Sequence, residues 1–114
     1  MRAPLLAILI GAGLCAGAAA LAVDAPSVTI AMQKESFVPA QKTVAAGTRI
    51  TWTNNDTVPH SVTTSDNHFD SGPIPPGKTF EWTADGSGTI AYHCIFHPSM
   101  TAELTIRSAT NDAQ

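Results

Sequence analysis

From Val23 onward, apolar and polar positions alternate with a period of two in five stretches. Val28, Ile30 and Met32 alternate with Thr29 and Ala31, Ile50 and Trp52 with Thr51 and Thr53, and Phe80 and Trp82 with Glu81 and Thr83. Ile90, Tyr92 and Cys94 alternate with Ala91 and His93, and Ala102, Leu104 and Ile106 with Glu103 and Thr105. This period turns one face of a strand to a core and the other to water, and Thr, Val, Ile and aromatic residues suit pleated backbone. Turn residues stand between the stretches: Ala46-Gly47, Asn54-Asn55-Asp56, Pro75-Pro76-Gly77 and Asp85-Gly86-Ser87-Gly88. No stretch carries a helical period. The pattern predicts an all-β chain of short strands, a β-sandwich. Trp52 and Trp82 are expected to pack in the core or on a sheet face, and Met32 to fill the core.

The N-terminus has a different pattern. Met1-Arg2-Ala3-Pro4 is a short cationic start before the apolar run Leu5 to Ala22, and Ala20-Leu21-Ala22 places small residues where a signal peptidase cuts. Residues 1–22 are therefore expected to be a cleaved signal peptide. The competing assignment, a retained anchor, has support only from length, since about 18 apolar residues can span a bilayer. The exported domain is expected at 23–107, with a flexible polar tail at 108–114. With 114 residues there is room for one domain. Six basic and nine acidic side chains give a net charge of −3, which offers no cationic surface for nucleic acid.

Cleavage removes Cys15 and leaves Cys94 alone, so the exported chain can form no internal disulfide. A single thiol in an oxidising compartment is buried, bound to a metal, or a nucleophile. The strand alternation puts Cys94 on the face of Ile90 and Tyr92, pointing into the end of the sandwich, and turns His93 outward. Ile95 to Met100 is expected to form a loop, with Pro98 blocking the ladder and the last strand starting near Thr101. In this loop Cys94, His97 and Met100 have the spacing C-x2-H-x2-M, and His60 lies upstream at the start of a strand from 60 to 63. One thiolate, two imidazoles and a thioether make a soft N/S set suited to copper cycling between Cu(I) and Cu(II), with Met as a weak axial ligand. Mg²⁺ and Ca²⁺ prefer oxygen, and a thioether is a poor zinc ligand. His68, in a polar loop, is expected to be solvated.

The segment Tyr92-His93-Cys94-Ile95-Phe96-His97-Pro98-Ser99-Met100 resembles the copper loop of the cupredoxins, the small blue-copper proteins. Within the plastocyanin, amicyanin and pseudoazurin group its two-residue gaps look most like amicyanin. Trp52-Thr53-Asn54 followed by Pro59-His60 is similar to the segment that carries the family's first histidine ligand. The resemblance implies a Greek-key cupredoxin sandwich holding one copper per chain on His60, Cys94, His97 and Met100. It also implies that Asn54 ties the His60 segment to the backbone beside the cysteine. The function implied is one-electron transfer in the periplasm or another exported location. The chain would be a monomer that meets redox proteins transiently (a dehydrogenase, a cytochrome or an oxidase) through an apolar patch of Pro59, Phe96, Pro98 and Ile74. No stable membrane association is expected once the signal is removed.

The ligand set alone leaves a second class open: copper binding for storage, delivery or sensing. Enzymatic roles fit less well. A multicopper oxidase needs His on both sides of the cysteine, where Ile95 stands, and a dinuclear copper site needs a second cysteine. The linker Asp70 to Pro76 has its own sequence, so the resemblance does not identify a partner.

Overall fold

A computed structural model describes residues 25–108. The predicted signal peptide at 1–22 and the tail beyond Ser108 lie outside the described residues. Eight strands follow in order: β1 (Ser27–Gln33), β2 (Ser36–Val38), β3 (Gln41–Ala45), β4 (Arg49–Asn54), β5 (Thr63–Thr64), β6 (Thr79–Thr83), β7 (Gly88–Cys94) and β8 (His97–Arg107). They form two four-stranded sheets, β2-β1-β4-β6 and β3-β8-β7-β5. Parallel pairings β1 with β4 and β3 with β8 sit among antiparallel ones, so the chain crosses repeatedly between the sheets. This is the all-β sandwich that the alternation predicts. Among the described residues no helix is long and apolar enough to cross a membrane.

The alternating apolar residues meet between the sheets. Ile30, Met32, Ile50 and Trp52 from one sheet and Ile90, Tyr92, Leu104 and Ile106 from the other are all buried. Trp52 donates its indole N–H to the Tyr92 hydroxyl across the core at 3.2 Å, which satisfies both polar tips of two large rings. Phe37 packs edge-on against Tyr92 with ring centroids 4.8 Å apart, and Phe69 covers Trp82 at 4.7 Å. Met32 is core, as expected, and His68 is exposed beside Asp66.

Two details at one end of the sandwich position the site. Gln33 pairs with Ser36 across a two-residue turn in which Lys34 and Glu35 both have φ 55°. Such a hairpin turn suits the twist of the strands but costs about 1–2 kcal/mol for each non-glycine residue in the left-handed region, so a compensating contact is needed. At the other hairpin, Cys94 pairs with His97 across the turn Ile95-Phe96, while the preceding His93 pairs with Thr101. The last strand therefore starts at His97, earlier than the sequence suggests. Pro98, Ser99 and Met100 form a bulge in β8 with no opposing residue, which explains how a proline is accommodated there.

Candidate metal centre

Cys94 ends β7 with its side chain inward and fully buried, as the alternation requires. His97 opens β8 one short turn later, so hairpin geometry alone brings its ring beside the sulfur. Its Nδ1 lies 3.6 Å from Cys94 Sγ. His60 comes from the connection between β4 and β5. It lies in no extended strand and pairs only with Ile74, through mutual backbone hydrogen bonds of 3.2 and 2.7 Å. The His60 ring is fully buried, and its Nδ1 stands 3.7 Å from the same sulfur. One ligand atom from each of the three residues falls within a sphere of contacts no longer than 4.8 Å. Met100 is 2% exposed and points inward from the bulge next to His97.

These spacings fit a bound first-row metal ion. Metal bonds of about 2.3 Å to thiolate sulfur and about 2.0–2.1 Å to imidazole nitrogen leave S and N roughly 3.6–3.8 Å apart at angles between tetrahedral and trigonal. Both observed separations match that range. Thiolate with two imidazoles also has the softness that copper selects.

The surrounding hydrogen bonds hold the donors in place. Ser61 N donates to Cys94 Sγ at 3.3 Å, and Ile95 N donates to Ser61 Oγ at 2.9 Å. Ser61 Oγ lies 2.9 Å from Thr63 Oγ1, which in turn donates to Asp70 at 3.1 Å. Ser61 therefore joins the His60 segment to the backbone beside the cysteine. This corrects the expectation for Asn54. The Asn54 amide is buried at the end of β4 and donates to the carbonyl of Val58 in the His60 loop and to that of Ile74, the backbone partner of His60, at 2.9 Å each. It closes the loop that delivers His60 and does not reach the cysteine strand.

Asp56 is the other group that the sequence did not single out. Its Oδ2 is 2.7 Å from His60 Nε2, and the amides of Lys34 and Glu35 donate to its two oxygens at 2.6 and 2.9 Å. These bonds offset the strain of the Lys34–Glu35 turn. Burial disfavours the charged carboxylate, but hydrogen bonds from the Glu35 amide, from His60 and from the Lys34 amide outweigh it, and the Asp56 pKa falls below its ordinary value. With Nε2 occupied as donor, His60 presents a bare Nδ1 to the site. The His97 ring is partly exposed, and its Nε2 lies 3.9 Å from Glu35 Oε2. Around it Ile95 and Phe96 are exposed, at 50% and 45%, with Val58 nearby in the His60 loop sequence at 38%. Ile74, expected in the same patch, is 3% exposed because it pairs with His60 beneath the surface.

A two-sheet sandwich that buries a thiol between two histidines at one end has the makings of a small mononuclear copper protein. The chain belongs to the cupredoxin-like domain family, whose model matches residues 5–106. Amicyanin-alpha of Methylorubrum extorquens is 30% identical over 107 residues, which is 83% of this chain and 86% of that protein. A purple cupredoxin from Nitrosopumilus maritimus shares 28% identity with a TM-score of 0.66, covering 70% of this chain and 99% of that one. The Cu(I) form of an amicyanin variant gives a TM-score of 0.68 at 22% identity, over 78% and 89% of the two chains, a likeness of fold.

Proposed function

We propose that the protein is an exported one-electron carrier that holds copper on His60 Nδ1, Cys94 Sγ and His97 Nδ1, with Met100 as the weak axial donor, and that it is not an enzyme. The observation that carries this reading is the preassembled trio of ligand atoms, two of them fully buried, with a single imidazole edge leading to the surface. When bound, copper supplies the Cu(I)/Cu(II) couple. The protein's part is to keep the donors still. Ser61 fixes the thiolate, Asp56 fixes His60, and the hairpin fixes His97. A site held by such bonds rearranges little when its charge changes, and this favours fast electron exchange.

His97 provides the exit. Its partly exposed ring is flanked along the hairpin by the exposed apolar residues Ile95 and Phe96, with the exposed Glu35 carboxylate 3.9 Å from its Nε2. Small patches of this kind suit transient contacts with a dehydrogenase, cytochrome or oxidase, which bury little area and separate quickly. A monomer in the periplasm or an equivalent exported compartment agrees with the apolar N-terminal run and with a single thiol left uncrosslinked.

The test is to load the chain beginning at Val23 with copper and record its visible spectrum and voltammetry. One copper per chain, an intense thiolate-to-Cu(II) band and a reversible wave are expected, and Cys94→Ser should abolish the band. Copper that exchanges readily and never cycles would instead assign the chain to copper storage or delivery.

A further inference from the structure

We propose that Asp56 is a positioning residue of the copper site, a charged clamp that orients His60 and ties it to the turn beside His97. This rests on reading His60 and His97 as copper ligands. The carboxylate is largely buried and receives three donors: the Lys34 amide at 2.6 Å, the Glu35 amide at 2.9 Å and His60 Nε2 at 2.7 Å. The backbone of Asp56 is fixed as well, since its amide donates to Asn54 Oδ1 at 2.9 Å. The carboxylate cannot turn without breaking several bonds at once, and the ring cannot turn without losing its bond to that carboxylate.

The clamp has two consequences for the site. Two amides and an imidazole N–H solvate the carboxylate without cancelling its charge, so a negative charge sits one imidazole ring away from the metal-binding nitrogen. A nearby negative charge favours the more positive oxidation state, and here it favours Cu(II). The second consequence concerns His97. The turn that Asp56 grips carries Glu35, whose carboxylate is the acid that stands 3.9 Å from His97 Nε2. Both imidazoles are thus referred to one strained turn, which Asp56 stabilises.

The experiment compares the parent with Asp56→Asn and Asp56→Ala. With copper bound, Asp56→Asn should shift the redox equilibrium toward Cu(I) by roughly tenfold, a rise of 59 mV for one electron. The blue band should survive. In the copper-free parent, ¹⁵N NMR should show His60 protonated on Nε2, and Asp56→Ala should lose that preference. A potential in Asp56→Asn equal to that of the parent overturns the proposal, because a merely structural role would move stability alone. Failure of the parent to bind or cycle copper would instead overturn the proposed function. The NMR comparison still decides the clamp in that event, since a parent His60 carrying its proton on Nδ1 would refute it.

Discussion

At the scale of single residues, the proposed site gives Met100 and Ser61 different parts, Met100 as the axial donor that would set the potential and Ser61 as a hydrogen-bonding tie beside Cys94. A thioether binds Cu(I) better than Cu(II), so Met100→Gln, with an oxygen donor, should lower the reduction potential and Met100→Leu should raise it. Voltammetry of the two variants checks this, and unchanged potentials would remove Met100 from the ligand set. Ser61→Ala should act on stability first. It takes the acceptor from Ile95 N and a hydrogen-bond partner from Thr63 Oγ1 in a buried setting. A loss of about 1–3 kcal/mol is expected in denaturant unfolding of the copper-free protein. These residues differ in how legible they were. Cys94 was legible because strand alternation fixes its face, and His97 because it stands at the C-x2-H-x2-M spacing from it, although the tight hairpin that joins them was not. Ser61 and Asp56 were not, because a polar residue near a loop looks the same in sequence whether it faces solvent or a thiolate. A carboxylate four residues ahead of a candidate ligand histidine is the one signal that would have pointed to Asp56.

Among the elements, the strands with two or three alternating apolar residues were all visible in the sequence, and the short edge strands were not. β3 has one buried apolar residue, Val44, and β5 is only two threonines long, so neither carries a period. The β1–β2 turn was hidden for another reason. Lys and Glu are poor turn formers, and they hold φ 55° because Asp56, about twenty positions away, accepts both amides. Lys34→Gly should therefore stabilise the protein. It keeps the amide that Asp56 binds and removes the left-handed penalty, partly offset by the extra freedom of glycine when unfolded. A gain of about 0.5–1 kcal/mol is expected from thermal unfolding. A loss of stability would mean that the Lys34 side chain contributes more than its backbone costs.

For the whole molecule, what matters is how the two sheets are held in register, because one sheet and its connections deliver His60 and the other delivers Cys94 and His97. Trp52 of β4 and Tyr92 of β7 bridge them through the 3.2 Å hydrogen bond in the core. Tyr92 is the chain's only tyrosine, so its ionisation can be followed without overlap from another phenol. Burial raises its pKa from 10.0 to about 12, against a smaller opposing effect of the Trp52 hydrogen bond. The sign follows from linkage. Below pH 10 the phenol is neutral in both folded and unfolded chains, and its contribution to stability is fully present. Between pH 10 and about 12 the unfolded chain loses the proton while the folded one keeps it, so stability falls as pH rises. Each unit in that window is worth at most about 1.4 kcal/mol, for a total of roughly 2–3 kcal/mol. Lysines titrate in the same range, so the informative quantity is the difference between the parent and Tyr92→Phe. That variant starts less stable, because the Trp52 N–H loses its acceptor, but the gap should narrow steadily above pH 10. Phenolate absorbance of the folded parent should stay absent until near pH 12. A phenol that ionises near pH 10 without unfolding, or a gap between the two proteins that does not change with pH, would show that the bridge is open to water and that the sheets are locked by other contacts.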